Sequence, residues 1–173
     1  MAIIFLLGPS VWKSKKISPI YSPMQKRRQL AEIFRADNHK IVIMEDEPDI
    51  KDEHLYKKFY RLINDKKVTD IIMYWPSLAE MQTTQIELVL LGIQNDTLPT
   101  PQIWLFHHTS VFSDKMGEGI ISDGEDRSSY LSSILNKRKK KRDVEFENDE
   151  DLTRKAEFLS KELQIKPTIQ DLL

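Results

Sequence analysis

The sequence predicts an α/β domain in three layers, a doubly wound sheet of five parallel strands in the order 2-1-3-4-5 with helices on both faces. Three observations carry this. Residues 2–7 (AIIFLL), 40–44 (KIVIM), 70–74 (DIIMY) and 102–106 (QIWLF) are short runs rich in Ile, Val, Phe and Trp, without polar alternation. Strands covered on both faces require that composition. Segments with helical periodicity lie between them, and five β-α units in succession close most simply as right-handed crossovers in one sheet. The 173 residues fit one domain, 1–173, long enough to bury a core without cross-links or metal.

The elements follow in order. The run 1–7 has no basic residue ahead of it and leads into Gly8-Pro9-Ser10 without an obvious cleavage site, so it reads as a buried strand rather than a signal segment. Ser22-Pro23-Met24-Gln25 is a capping box with proline at the first helical position, followed by Leu30, Ile33 and Phe34 on one face. Residues 52–64 carry Leu55, Phe59, Leu62 and Ile63 at helical spacing. Ser77-Leu78-Ala79-Glu80 is a second capping box, and Ile86, Val89, Leu90 and Ile93 repeat at i, i+3, i+4, i+7. Residues 128–139 and 151–164 read as helices flanking a short edge strand at 144–147. Two segments stand outside the alternation: 11–21, with Lys13, Lys15 and Lys16, and 109–125, with Gly117, Gly119 and Gly124. Loops of that length in a compact domain are mobile or functional.

Composition removes several classes of function. Lys plus Arg total 26 and Asp plus Glu 27, for a net charge of −1, so no global attraction to nucleic acid or an anionic membrane is implied. The basic block 137–142 (KRKKKR) is followed by Glu145, Glu147, Asp149, Glu150 and Asp151. It reads as a solvated helix end with local compensation before it reads as a nucleic-acid dock. The absence of cysteine excludes disulfides, thiolate metal sites and thiol catalysis, and suits the reducing cytoplasm. No apolar run approaches the roughly 20 residues that span a bilayer, so no membrane partner is expected.

In an open parallel sheet, ligands bind beyond the carboxyl ends of the strands, where the chain changes direction. That rule selects Gly8, Pro9 and Ser10 after strand 1, Glu45, Asp46 and Glu47 after strand 2, Tyr74 and Trp75 after strand 3, and His107 and His108 after strand 4. A dinucleotide fingerprint, a Gly-Lys-Ser/Thr phosphate loop and the paired acids of a phospho-receiver are all missing from these positions. Glu87 stands out, because at 100° per residue it falls at the margin of the apolar stripe of its helix. A partly desolvated carboxylate there can attack an anomeric carbon and hold the glycosyl group covalently; the same residue can also snorkel to solvent or pair with a lysine. Glu80 is either an acid/base partner of Glu87 or the closing residue of its capping box. The acids 45–49 can accept hydrogen bonds from ribose hydroxyls, hold a divalent ion or form a solvated turn. Trp12, Tyr74 and Trp75 can stack on a nucleobase or cap the core. One histidine of the 107–108 pair, at most, reaches the crevice, since neighbours on a strand face opposite ways. No metal site is expected, because no His/acid cluster shows ligand spacing.

These residues resemble a family. IIFLLGPS (3–10) resembles the strand and Gly-Pro turn that open nucleoside 2-deoxyribosyltransferases and their relatives. TDIIMYWPSLAEMQTTQIELVLLGI (69–93) resembles the third strand, loop and nucleophile helix, with Asp70, Thr83, Thr84, Glu87, Leu88 and Gly92 in comparable places. Ala79-Glu80-Met81-Gln82 stands where the family carries an acid and a glycine-bearing loop. The likeness extends to about residue 110. It implies cleavage or exchange of an N-glycosidic bond of a nucleoside or nucleotide through a glycosyl-glutamate on Glu87, without a cofactor. Lys13, Lys15 and Lys16 would then meet any phosphate. Toll/interleukin-receptor-like domains share this flavodoxin-like layout, and their catalytic members hydrolyse NAD from a helix glutamate. A non-catalytic nucleotide-binding or interaction module of the same fold is the further alternative. Members of the family often form homo-oligomers, which makes self-association an expectation here.

Overall fold

The computed structural model describes residues 1–8, 23–76, 101–109 and 141–165. Strands β1 (Ile3–Leu7), β2 (Lys40–Val42), β3 (Asp70–Trp75), β4 (Gln102–His108) and β5 (Lys141–Phe146) form one sheet in the order β2-β1-β3-β4-β5, parallel throughout. Helices α1 (Pro23–Ala36), α2 (Leu55–Asp65) and α3 (Asp149–Ile165) flank it. The expected architecture is the observed one.

Alternation along each strand builds two cores. Phe5, Leu7, Ile71, Met73, Trp75, Ile103 and Leu105 face α2, where they meet Phe59, Leu62 and Ile63. Ile4, Leu6, Ile72, Tyr74, Trp104, Phe106 and Phe146 face α1 and α3, where they meet Leu30, Phe34, Leu152, Ala156 and Leu159. Every side chain of β3 is buried, as expected of a central strand covered twice.

Several boundaries differ from expectation for physical reasons. The second helix begins at Leu55 rather than 52 because Asp52 has φ of 63°, outside the right-handed helical region. Leu55 is exposed, and the buried place on that face is taken by Lys58. Its ammonium donates to Glu47 O and Asp49 Oδ1, both at 2.6 Å. The fourth strand runs on to include both histidines, and the edge strand starts at 141. Lys141 and Arg142 of the basic block are thus strand residues, and the Arg142 guanidinium lies 5.3 Å from the Trp104 ring centroid. The helix expected at 128–139 and the capping residues Ser22 and Ser77 lie outside the described residues.

Buried polar groups pin the edge where the strands start. The Ala2 N–H donates to His39 Nδ1 at 3.0 Å, and His39 Nε2 lies 2.8 Å from Ser160 O. The imidazole therefore carries its hydrogen on Nε2, joining the start of β1 to α3. Asp70 accepts the Trp104 indole N–H at 2.9 Å and the Thr69 hydroxyl at 2.8 Å, locking β3 to β4.

The start of α3 is a charge-assisted cap. Asn148 Oδ1 accepts the Asp151 N–H at 3.0 Å, and the Asp151 carboxylate reaches back to the Glu147 N–H at 3.2 Å. Lys155 and Arg154 also donate to it, at 2.8 and 2.6 Å. These side-chain bonds, that from Lys155 foremost, pull the Asp151 carboxyl from 3.8 down to about 2. A depressed acid stabilises the folded state above its unfolded value, and that contribution drains away as pH falls from about 4 toward 2. Urea midpoints between pH 5 and 2 should therefore fall less steeply for Asp151→Asn than for wild type. Parallel acid limbs would contradict the assignment.

Candidate functional site

The crevice edge of the sheet is where the carboxyl ends of β1 and β3 adjoin while their connections leave in different directions. Of the residues expected there, Gly8, Tyr74 and Trp75 are described. Pro9, Ser10, Trp12, Lys13, Lys15, Lys16, Glu80 and Glu87, with Thr83, Thr84, Leu88 and Gly92, lie outside the described residues.

Gly8 is needed for space. A Cβ built on it would lie 3.0 Å from Tyr74 O, 3.2 Å from Arg27 Cδ and 3.3 Å from Tyr74 Cβ. Two of those atoms belong to the neighbouring strand and one to α1, so Gly8 is hemmed in from two sides.

Arg27 is the residue that the sequence reading missed. Its side chain has no solvent exposure. Nη1 donates to Gly8 O at 2.9 Å, while Nη2 lies 2.7 Å from Glu45 Oε2 and 2.9 Å from Met24 Sδ. One planar cation thereby joins the end of β1, the turn after β2 and the first turn of α1, using the forked geometry that sets arginine apart from lysine. The available signal was positional: Met24, Arg27, Leu30, Ala31 and Phe34 form the buried stripe of α1, with a charge at its second place.

Each acid of the 45–49 run has a basic partner. Glu45 pairs with Arg27, Asp46 with Arg28 at 2.6 Å, Glu47 with Lys66 at 2.9 Å and Asp49 with Lys58 at 2.6 Å. Beyond the run, Glu53 and Arg61 form a two-pronged pair, 2.7 Å on each prong. The Arg61 hydrogen bond is the main reason the Glu53 carboxyl lies below the usual range. The turn after β2 is thus clasped to α1, to α2 and to Lys66 just past the end of α2, which accounts for these acids as a structural collar. Among the described residues no group of three His, Asp or Glu side chains can hold a metal ion.

Tyr74 and Trp75 are fully buried and lie on opposite faces of the sheet. Tyr74 stacks on Phe146 at 6.0 Å between centroids; Trp75 belongs to the α2 core. Both are accounted for as core side chains, and neither offers an exposed ring to a base. His107 is the register partner of Trp75 and is nearly as buried. His108 meets Phe146 edge-on at 5.6 Å, with Nε2 3.0 Å from Glu147 O. The two imidazoles thus separate to opposite faces. Asp70, the strand-opening aspartate of the resemblance, sits at the far edge of the sheet, holding Trp104.

No family model matches the sequence, and no curated protein is significantly similar to it. No helix among the described residues is long and apolar enough to cross a membrane.

Gly8→Ala should cost about 1–3 kcal/mol, the usual penalty of overpacking, read as a lower urea midpoint with unchanged slope. An unchanged midpoint would show that the turn has room to spare.

Proposed function

We propose that the chain cleaves the N-glycosidic bond of a nucleoside or nucleotide, passing the glycosyl group to water or to a second base. What supports the reading is the strand order, whose switch between β1 and β3 is where open parallel sheets bind ligands, with Gly8 directly after β1. The two segments that resemble nucleoside 2-deoxyribosyltransferases contain β1 and β3, the strands that adjoin at that switch. In this reading the Glu87 carboxylate attacks the anomeric carbon. The carbon–nitrogen bond breaks, an ester bond forms, and the base leaves with a proton supplied by an acid, the role given to Glu80. Water or an incoming base then attacks the same carbon, the ester breaks, and the carboxylate is restored. Residues 9–22, with Trp12 and the three lysines, are the part of this reading that would meet base and phosphate.

A second reading has its own support. The described rim is spent on structure: the acids are paired, Tyr74 and Trp75 are buried, and Arg27 is engaged. A rim of that kind suits a module that binds a nucleotide and leaves it intact.

Incubation with deoxynucleosides, nucleoside monophosphates and NAD, followed by chromatography of free base, separates the two. The first reading predicts base release that Glu87→Gln lowers by about 10³-fold or more. Saturable nucleotide binding without release, or release indifferent to Glu87→Gln, would overturn it.

A further inference from the structure

The outward face of α3 carries a feature that the crevice does not use. Leu152, Ala156, Leu159 and Leu163 face the core, yet Phe158 is 65 % exposed and Ile165 80 %. Phe158 stands at the lip of a groove of about 510 Å³ between α3 and the outer strand β5. Trp104, Val144 and Leu159 contribute its apolar lining, and Arg154 and Glu162 flank Phe158 along the helix. An exposed aromatic knob beside an apolar hollow, both on one patch, is what a two-fold interface needs, because each copy must present both parts.

We propose that this face is the contact between two copies of the chain, packed with their α3 helices antiparallel about a two-fold axis at Phe158. Charge complementarity selects the second copy as the occupant. Arg154 and Glu162 each lie four residues from Phe158, on the same line of the helix. Antiparallel pairing sets Arg154 of one copy opposite Glu162 of the other, and the symmetry repeats the pair. Arg154 is 77 % exposed although it touches Asp151, and Asp151 keeps Lys155 when Arg154 turns outward. Lys155 also bonds Glu145 O, which turns it toward β5 and away from Lys161 of the second copy. The strand edge itself is a poor alternative, because exposed Arg142, Asp143 and Glu145 guard it against pairing with another strand. The 17 residues of α3 span about 25 Å at 1.5 Å each, long enough for Phe158 and both charge pairs to lie within one helix contact.

Sedimentation equilibrium of the full chain from about 1 to 100 μM, against a single-copy mass of 20.3 kDa, tests this. The wild type should form a dimer that weakens in high salt. Arg154→Glu and Glu162→Arg should each weaken it about tenfold or more, since each single swap sets like charges together twice. The double swap should restore it, a result peculiar to a two-fold contact in which these residues face each other. Phe158→Glu should leave a folded monomer by circular dichroism. A wild type that stays monomeric throughout, or a dimer that ignores Phe158→Glu, or single swaps that the double swap does not rescue, would overturn the proposal.

Discussion

The Arg27 guanidinium has no contact with solvent and is shared by the carbonyl that ends β1, the carboxylate that follows β2 and the thioether at the start of α1. A cation removed from water is tolerable only when its donors are met by acceptors of fixed position. The arrangement therefore acts in both directions. Glu45 balances the charge of Arg27, the carbonyl and the thioether take further donors, and Arg27 dictates where all three stand. Gly8 follows from it, since the side chain that holds its carbonyl also occupies the space that a Cβ would need. One side chain thus fixes Gly8, Glu45 and Met24 relative to one another at the strand ends.

The two edges of the sheet are finished in different ways. Where strands begin, two polar side chains make directional bonds: His39 between Ala2 and Ser160, Asp70 between Thr69 and Trp104. Where they end, the turn after β2 is closed by ion pairs to α1 and α2. Pairs as exposed as Arg28–Asp46 contribute little stability individually, but together they define the path of a turn that has few apolar residues to anchor it.

Much of the layout was legible in the sequence because fully buried parallel strands leave a plain compositional trace. The runs at 2–7, 70–74 and 102–106 carry no ambiguity of face, and right-handed crossovers then leave a few doubly wound orders, of which 2-1-3-4-5 is the usual one for five strands. Periodicity was a weaker guide where a long polar side chain takes an apolar place. Lys58 and Arg27 both occupy buried stripe positions, and the hydropathy pattern counts them as solvent-facing. The aromatics after β3 illustrate the opposite difficulty. Tyr74 and Trp75 stand at the end of a strand, where a ligand platform and a core cap have the same sequence signature, and only the depth of the edge distinguishes them. The acids 45–49 were ambiguous for a related reason, since their partners come from α1 and α2, up to 19 residues away in the chain.

Arg27 and Glu45 act as a unit, which a double-mutant cycle measures directly. Glu45 is 30 % exposed, so its loss is softened by water, and Glu45→Gln alone should cost about 1–3 kcal/mol in urea unfolding. In an Arg27→Met background, where no buried charge is left in want of a partner, the same change should cost almost nothing, giving a coupling of about 1–3 kcal/mol. Costs that simply add, within about 0.5 kcal/mol, would mean that the two groups are neighbours without being partners, and that the crevice edge is held by something else.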